Sequence, residues 1–181
     1  FAHIIIGTFI ASWDFFMAKE EIQVLSIILL FGVLISKKFT LFSSVHGVSR
    51  RTWGEPLFAI TVGLVATITT SPYIFAAAIL YLSLADGLAA VVGVKFGKRT
   101  GYSVLGQYKT LLGSLVFYLV SLSITVWVVA YGPSALQENA WALIIGLPIV
   151  ATIGENLAIN GTDNIVVPLI VVVVLESFSR L

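Results

Sequence analysis

Apolar residues fall into seven runs divided by short polar stretches. The runs cover about residues 1–18, 22–36, 56–70, 73–94, 111–131, 141–159 and 165–178. They do not alternate apolar and polar positions, as the strands of a membrane barrel do. They are apolar on every side, the pattern of helices sealed in a bilayer or a core. Several approach the roughly 20 residues that span a bilayer. The prediction is an all-α, polytopic integral membrane protein of about seven transmembrane helices, forming one domain over residues 1–181. The runs at 22–36 and 56–70 are short and are expected to extend into their flanks. The chain opens inside an apolar run without Met, so upstream residues are expected. A signal peptide is not evident, because no basic stretch precedes the first run, which carries Asp14. No internal repeat is visible.

Composition strengthens this picture. Of 181 residues, 59% are hydrophobic and 10% charged, and mean hydropathy is +1.05. Soluble domains are about a quarter charged, so both an ordinary soluble domain and a disordered chain are excluded. Without cysteine there is no disulfide, zinc–thiolate site, iron–sulfur cluster or thiol nucleophile. A net charge of +1 leaves no nucleic-acid footprint.

The polar connections differ in charge. The 2–3 connection carries Lys37, Lys38, Arg50 and Arg51, and the 4–5 connection carries Lys95, Lys98, Arg99 and Lys109. Strict alternation places both on one side, with eight of the ten basic residues; Lys19 and Arg180 fall on the other. The positive-inside rule makes the basic side cytoplasmic. His3 and the 160–164 loop then face the cytoplasm too.

Ionisable residues inside such runs cost about 2.5–3.5 kcal/mol to insert and are functional candidates by default. Asp86 lies well inside the fourth run among Ser83, Ala85, Gly87, Ala89 and Ala90. It reads as a carboxylate that holds Mg²⁺ on a nucleotide, or as a structural partner of a buried cation. Glu155 closes the sixth run and Asp163-Asn164 opens the seventh. Hard oxygen ligands suit Mg²⁺ together with phosphates. Taken alone, Asp163 reads first as the cap of its helix, and both roles can hold, since a helix N-terminus also favours anions. Asp14, Glu20, Glu21 and Glu138 are given no role.

The stretch from Val94 to Ser114 contains Gly97, Lys98, Lys109, Thr110, Gly113 and Ser114. Glycines admit backbone N–H groups to phosphates, lysines neutralise charge, and Lys109-Thr110 precedes a new helix, where anions bind. The Walker A order is absent. A basic loop that only sets topology or touches anionic lipid is the alternative. Arg50-Arg51 suits phosphate or topology alike, with Trp53 as an interfacial anchor. The Asn160-Gly161-Thr162 sequon falls on the cytoplasmic side and is read as chance.

Taken in order, these pieces resemble the membrane lipid-alcohol kinases: dolichol kinase, phytol and farnesol kinases and the yeast-type CTP-dependent diacylglycerol kinase, relatives of the phosphatidate cytidylyltransferases. An early H-x-x-x-G is matched by His3 to Gly7, and R-x-x-G-E by Arg51, Gly54 and Glu55. D-G-x-A-x-x-x-G-x-x-x-G-K is similar to the run from Asp86 and Gly87 through Gly93 to Gly97 and Lys98. K-[ST]-x-x-G-S is matched by Lys109, Thr110, Gly113 and Ser114, and E…D-N-x-x-V-P by Glu155, Asp163, Asn164 and Pro168. The resemblance covers essentially the whole chain. The closing H-G-G and D-R of the cytidylyltransferases are missing, which favours the kinase branch. The second run and residues 40–48 match no known motif.

The resemblance implies phosphoryl transfer from CTP to phytol, farnesol, a polyprenol or diacylglycerol at the cytoplasmic face of a bacterial plasma membrane or an endoplasmic reticulum or organelle membrane. It implies Mg²⁺ on Asp86 and on Asp163 or Glu155. It places phosphates on Lys98 and Lys109, with Thr110, Gly113 and Ser114 as donors, and Arg51 and Asn164 beside them. Glu155 is the chosen acceptor of the substrate proton. His3, Gly54, Glu55, Gly87 and Gly97 are motif positions without an assigned step. The rivals are CDP-lipid synthesis, a small transporter and a structural membrane subunit. Which lipid, and which oligomeric state, the sequence leaves open.

Overall fold

The computed structural model describes residues 2–39 and 53–180. Each of the seven apolar runs carries a helix, the first only over Ala2–Ala11 and a following 3-10 turn, Trp13–Phe15. The order is α1 (Ala2–Ala11), α2 (Lys19–Phe39), α3 (Gly54–Ile68), α4 (Pro72–Leu80), a π-helical turn (Tyr81–Ala85), α5 (Asp86–Phe96), strands β1 (Gly101–Val104) and β2 (Gln107–Thr110), α6 (Leu111–Tyr131), the short α7 (Ala135–Glu138), α8 (Ala140–Leu157) and α9 (Asp163–Ser179). Among the described residues, four helical stretches are long and apolar enough to cross a membrane: Lys19–Phe39, Pro72–Phe96, Leu111–Tyr131 and Ala140–Leu157. Helix α2 thus extends past the 22–36 run in both directions. Helix α3 stays at 15 residues.

Burial ranks the helices. In the apolar window of Pro72–Phe96, 61% of residues are buried, against 11% for α2. The first is therefore the centre of the bundle and α2 its outer flank. Tyr81, Phe75, Phe117, Ile79 and Leu82 fill the middle. The outside is apolar too, with Ile27, Ile28, Phe31, Ile145, Ile153 and Val173 all exposed. An apolar belt this large is unfavourable in water and suits hydrocarbon. Small residues allow close crossings: a Cβ on Gly63 of α3 would strike the Ser26 hydroxyl of α2.

Local chemistry sets the helix ends. Ser71 caps α4, accepting from the Tyr73 N–H at 3.3 Å, and Pro72 takes the first helical position, where no N–H is needed. Thr110 caps α6, accepting from the Gly113 N–H at 3.0 Å. Helices alternate in direction, so one end gathers the starts of α1, α3, α6 and α9 and the ends of α2, α5 and α8. At the other end, buried Glu176 accepts from the Thr70 N–H at 2.7 Å, and Lys19 pairs with Asp14 at 3.0 Å.

The strands depart from the all-α expectation. Gly101–Val104 and Gln107–Thr110 pair antiparallel, with Val104 opposite Gln107. Leu105 (φ 48°) and Gly106 (φ 77°) form the two-residue turn, both left-handed as a type I′ hairpin requires.

Candidate active site

A cavity of about 480 Å³ opens at the end where α5, α8 and the β2–α6 junction meet the starts of α3 and α9. Its volume is that of a small-molecule site. Asp86, Ala89, Ala90, Gly93, Val94 and Lys98 line one side. Their spacing of three and four puts them on one face of a helix and its extension. Lys109, Thr110, Gly113 and Ser114 come from the hairpin and α6, Glu155 from α8, Gly54 from α3, and Asp163 and Asn164 from α9. The structure brings all of these predicted residues together. His3, Glu55, Gly87 and Gly97 stand outside the lining, and Arg51 lies outside the described residues.

Two of the charged cavity side chains, Lys109 and Glu155, form an ion pair. The Lys109 ammonium donates to the Glu155 carboxylate at 2.5 Å and to the Glu155 backbone carbonyl at 2.9 Å. The two side chains assigned to phosphate and to metal or proton transfer therefore hold each other. Glu155 is 7% exposed, and its second oxygen, Oε2, has no hydrogen-bond partner. Asn164 also has a buried, unpartnered oxygen, Oδ1. Unsatisfied buried oxygens are costly, and each one calls for an explanation. Asp86 stands within electrostatic reach of Asp163, Glu155 and Lys109. Among the described residues no three Asp, Glu, His or Cys side chains form a ready-made metal cage. The donors instead fit Mg²⁺, which takes one or two carboxylates and completes its shell with phosphates and water.

Asp163 does not cap α9. Thr162 is the N-cap, without a side-chain bond, and Asp163 is the first helical residue. Its Oδ1 accepts from the Asn164 N–H at 3.0 Å. The capping alternative thus gives way to a purely local bond, and Asp163 lines the cavity.

Three of the glycines also have a packing task. A Cβ on Gly93 or on Gly113 would stand 2.8 Å from the Thr110 hydroxyl, and one on Gly97 at 2.6 Å. Glycines at these three positions make room for one threonine, and the α5–α6 crossing closes around it. Gly161 (φ 89°) allows the 159–162 turn to touch α3, where a Cβ would lie 2.6 Å from the Gly54 nitrogen.

Sequence reasoning missed three side chains beside the site. The Tyr102 hydroxyl of β1 lies 2.8 Å from the Ser114 hydroxyl and donates to the Asn156 side-chain oxygen, which also accepts from Ser114 at 3.0 Å. This node ties the hairpin to α6 and α8. Thr61, fully buried in α3, donates to the Asn164 carbonyl at 2.7 Å. Asn156 follows Glu155 directly, which is a signal of a kind; Tyr102 and Thr61 carried none.

No family model matches this chain, and no solved structure matches it. It is 30% identical over 141 residues to a phytol kinase of Synechocystis sp. (strain ATCC 27184 / PCC 6803 / Kazusa), covering 75% of this chain and 59% of that protein. The chain therefore spans about three-fifths of the length of the curated relative it matches. Over those 141 residues this helical and largely apolar chain is similar to a phytol kinase.

Proposed function

We propose that the chain transfers the γ-phosphoryl group of CTP to the hydroxyl of a membrane lipid alcohol at the cytoplasmic face. The observation that carries this reading is one cavity, at the end of an apolar helical bundle, holding Asp86, Glu155 and Asp163 together with Lys98 and Lys109. Phosphoryl transfer needs charge neutralisation and positioning more than covalent chemistry, and this residue set offers both. The phytol kinase relative supports an isoprenoid alcohol as acceptor. CTP as donor rests on the motif resemblance.

In this reading seven helices cross the membrane and the cavity end is cytoplasmic. That end carries Lys37, Lys38, Lys95, Lys98, Arg99 and Lys109, as the positive-inside rule asks. The lipid tail lies among the helices and its hydroxyl enters the cavity. Lys98 and Lys109 hold phosphate oxygens. Asp86 and Asp163, with the free oxygen of Asn164, hold Mg²⁺, which neutralises phosphate charge. As Lys109 turns to phosphate, the Glu155 carboxylate accepts the hydroxyl proton. The lipid oxygen bonds to the γ-phosphorus, the bond from that phosphorus to the β–γ bridging oxygen breaks, and CDP leaves.

The test uses purified protein in detergent with Mg²⁺, a mixture of phytol, farnesol, polyprenol and diacylglycerol, and γ-labelled CTP or ATP. Label in the lipid fraction from CTP, with CDP released, is the expected result. Pyrophosphate release with phosphatidate would move the chain to the cytidylyltransferases. Silence in both assays would favour a transporter or structural subunit.

A further inference from the structure

Two of the cavity acids sit beside breaks in their own helices, and each break exposes a carbonyl that another helix claims. The first break is the π-helical turn Tyr81–Ala85, which ends directly at Asp86. In an α-helix the Asp86 N–H would bond the carbonyl of residue 82. Here it reaches the Tyr81 and Ser83 carbonyls instead. The Leu82 carbonyl, passed over, accepts from His3 Nε2 of α1 at 3.3 Å. The His3 ring is held edge-on to Phe58 of α3, with centroids 4.9 Å apart. Close contacts lock α1 onto the same turn: a Cβ on Gly7 would strike Ser83, and one on Gly87 would strike Ile4.

The second break is Pro168 inside α9. Proline has no N–H, so the carbonyl four residues earlier loses its helical donor. That carbonyl belongs to Asn164, next to Asp163, and Thr61 of α3 fills it at 2.7 Å. In a bilayer such a freed carbonyl needs a partner from a neighbouring element. One polar side chain on α1 and one on α3 supply the two partners.

We infer that His3 and Thr61 are positioning residues: acting through the Leu82 and Asn164 carbonyls, they fix the separation and aim of Asp86 and Asp163 across the cavity. Neither side chain lines the cavity. The inference rests on the kinase reading for what the two acids do. Helix α1, whose H-x-x-x-G motif had no step of its own, becomes the strut that holds the π turn. Single-turn π-bulges are frequent at functional sites, and this one aims a carboxylate.

The test compares the wild type with His3→Phe, His3→Gln, Thr61→Val and Thr61→Ser, purified in detergent. Phenylalanine keeps the ring against Phe58 without the donor; valine keeps the shape of threonine without the hydroxyl. Two readouts are taken: γ-label transfer to lipid alcohol, and Mg²⁺-dependent binding of a fluorescent CTP analogue. Misplacing a reacting group by about 1 Å costs about a hundredfold. Hence His3→Phe and Thr61→Val should lower kcat about tenfold to a hundredfold. They should raise the Mg²⁺ needed for nucleotide binding and leave KM for the lipid unchanged. Thr61→Ser should recover near wild-type values, and His3→Gln an intermediate kcat. Wild-type kcat and Mg²⁺ dependence in both hydroxyl- and donor-free variants would overturn the inference, as would Thr61→Ser behaving like Thr61→Val. If Thr61→Val does not accumulate, Thr61→Ser and the His3 pair decide by the same criteria. A wild type that binds nucleotide with Mg²⁺ but transfers no label defeats the kinase reading alone, and the binding shifts in the variants then judge the inference.

Discussion

Asp86 is the residue on which the site depends most directly. It is an acid deep in an apolar helix, it lines the cavity, and two further acids act on it. Asp86→Asn keeps the size and removes the charge. It should abolish label transfer while leaving the thermal midpoint in detergent unchanged within a few degrees. Gly161 is its structural counterpart, because left-handed backbone and contact with Gly54 both exclude a side chain. Gly161→Ala should destabilise the protein by about 1–3 kcal/mol, read as a lowered unfolding midpoint. Much at this scale was legible in the sequence, since charge stands out in an apolar run. What was not legible is pairing. Lys109 and Glu155 are 46 positions apart, and nothing local says that they meet. The packing of the glycines was hidden for a related reason. The shared neighbour of Gly93, Gly97 and Gly113, Thr110, is visible only once α5 and α6 cross.

Among the elements, the hairpin is where reading and structure part most. Its turn is Leu105-Gly106, and leucine at a positive φ carries none of the Asn-Gly or Asp-Gly signal of such turns. The stretch therefore reads as an open basic loop. As a hairpin it has a rigid job: it delivers Lys109 to Glu155 and is pinned by Tyr102 to Ser114 and Asn156. Tyr102→Phe deletes the pinning hydroxyl and nothing else. It should raise the nucleotide KM severalfold, with little change in lipid KM, in a steady-state assay. The π turn was likewise invisible in sequence, because nothing in Tyr81–Ala85 forbids an ordinary helix. The helices themselves were legible, since unbroken apolar runs leave the backbone little else to do in hydrocarbon.

The molecule as a whole is a helical bundle with a charged cavity at one end. Alternating helix direction follows from the sequence, and the contacts at the two ends agree with it: Lys109 meets Glu155 at one, Thr70 meets Glu176 at the other. The chain has no cysteine, so single cysteines can be placed without background. Leu105→Cys, at the exposed hairpin tip, should react with an impermeant thiol reagent only when the cytoplasmic face is open, as in inverted vesicles. Ser134→Cys, in the α6–α7 connection, should react only from the opposite face. Labelling of both from one side would break the alternation. Chelation of divalent cations should stop transfer, and adding Mg²⁺ back should restore it, because three carboxylates beside two lysines leave a nucleotide's phosphate charge unneutralised.

The most direct measurement sets wild type and Asp86→Asn side by side in one reaction series with γ-labelled CTP, Mg²⁺ and phytol, each protein first shown to unfold at the same temperature. The account predicts labelled phytyl phosphate and CDP from the wild type and none above background from the variant. Equal label in both lipid fractions would contradict it, because phosphoryl transfer would then proceed without the carboxylate around which the cavity is built.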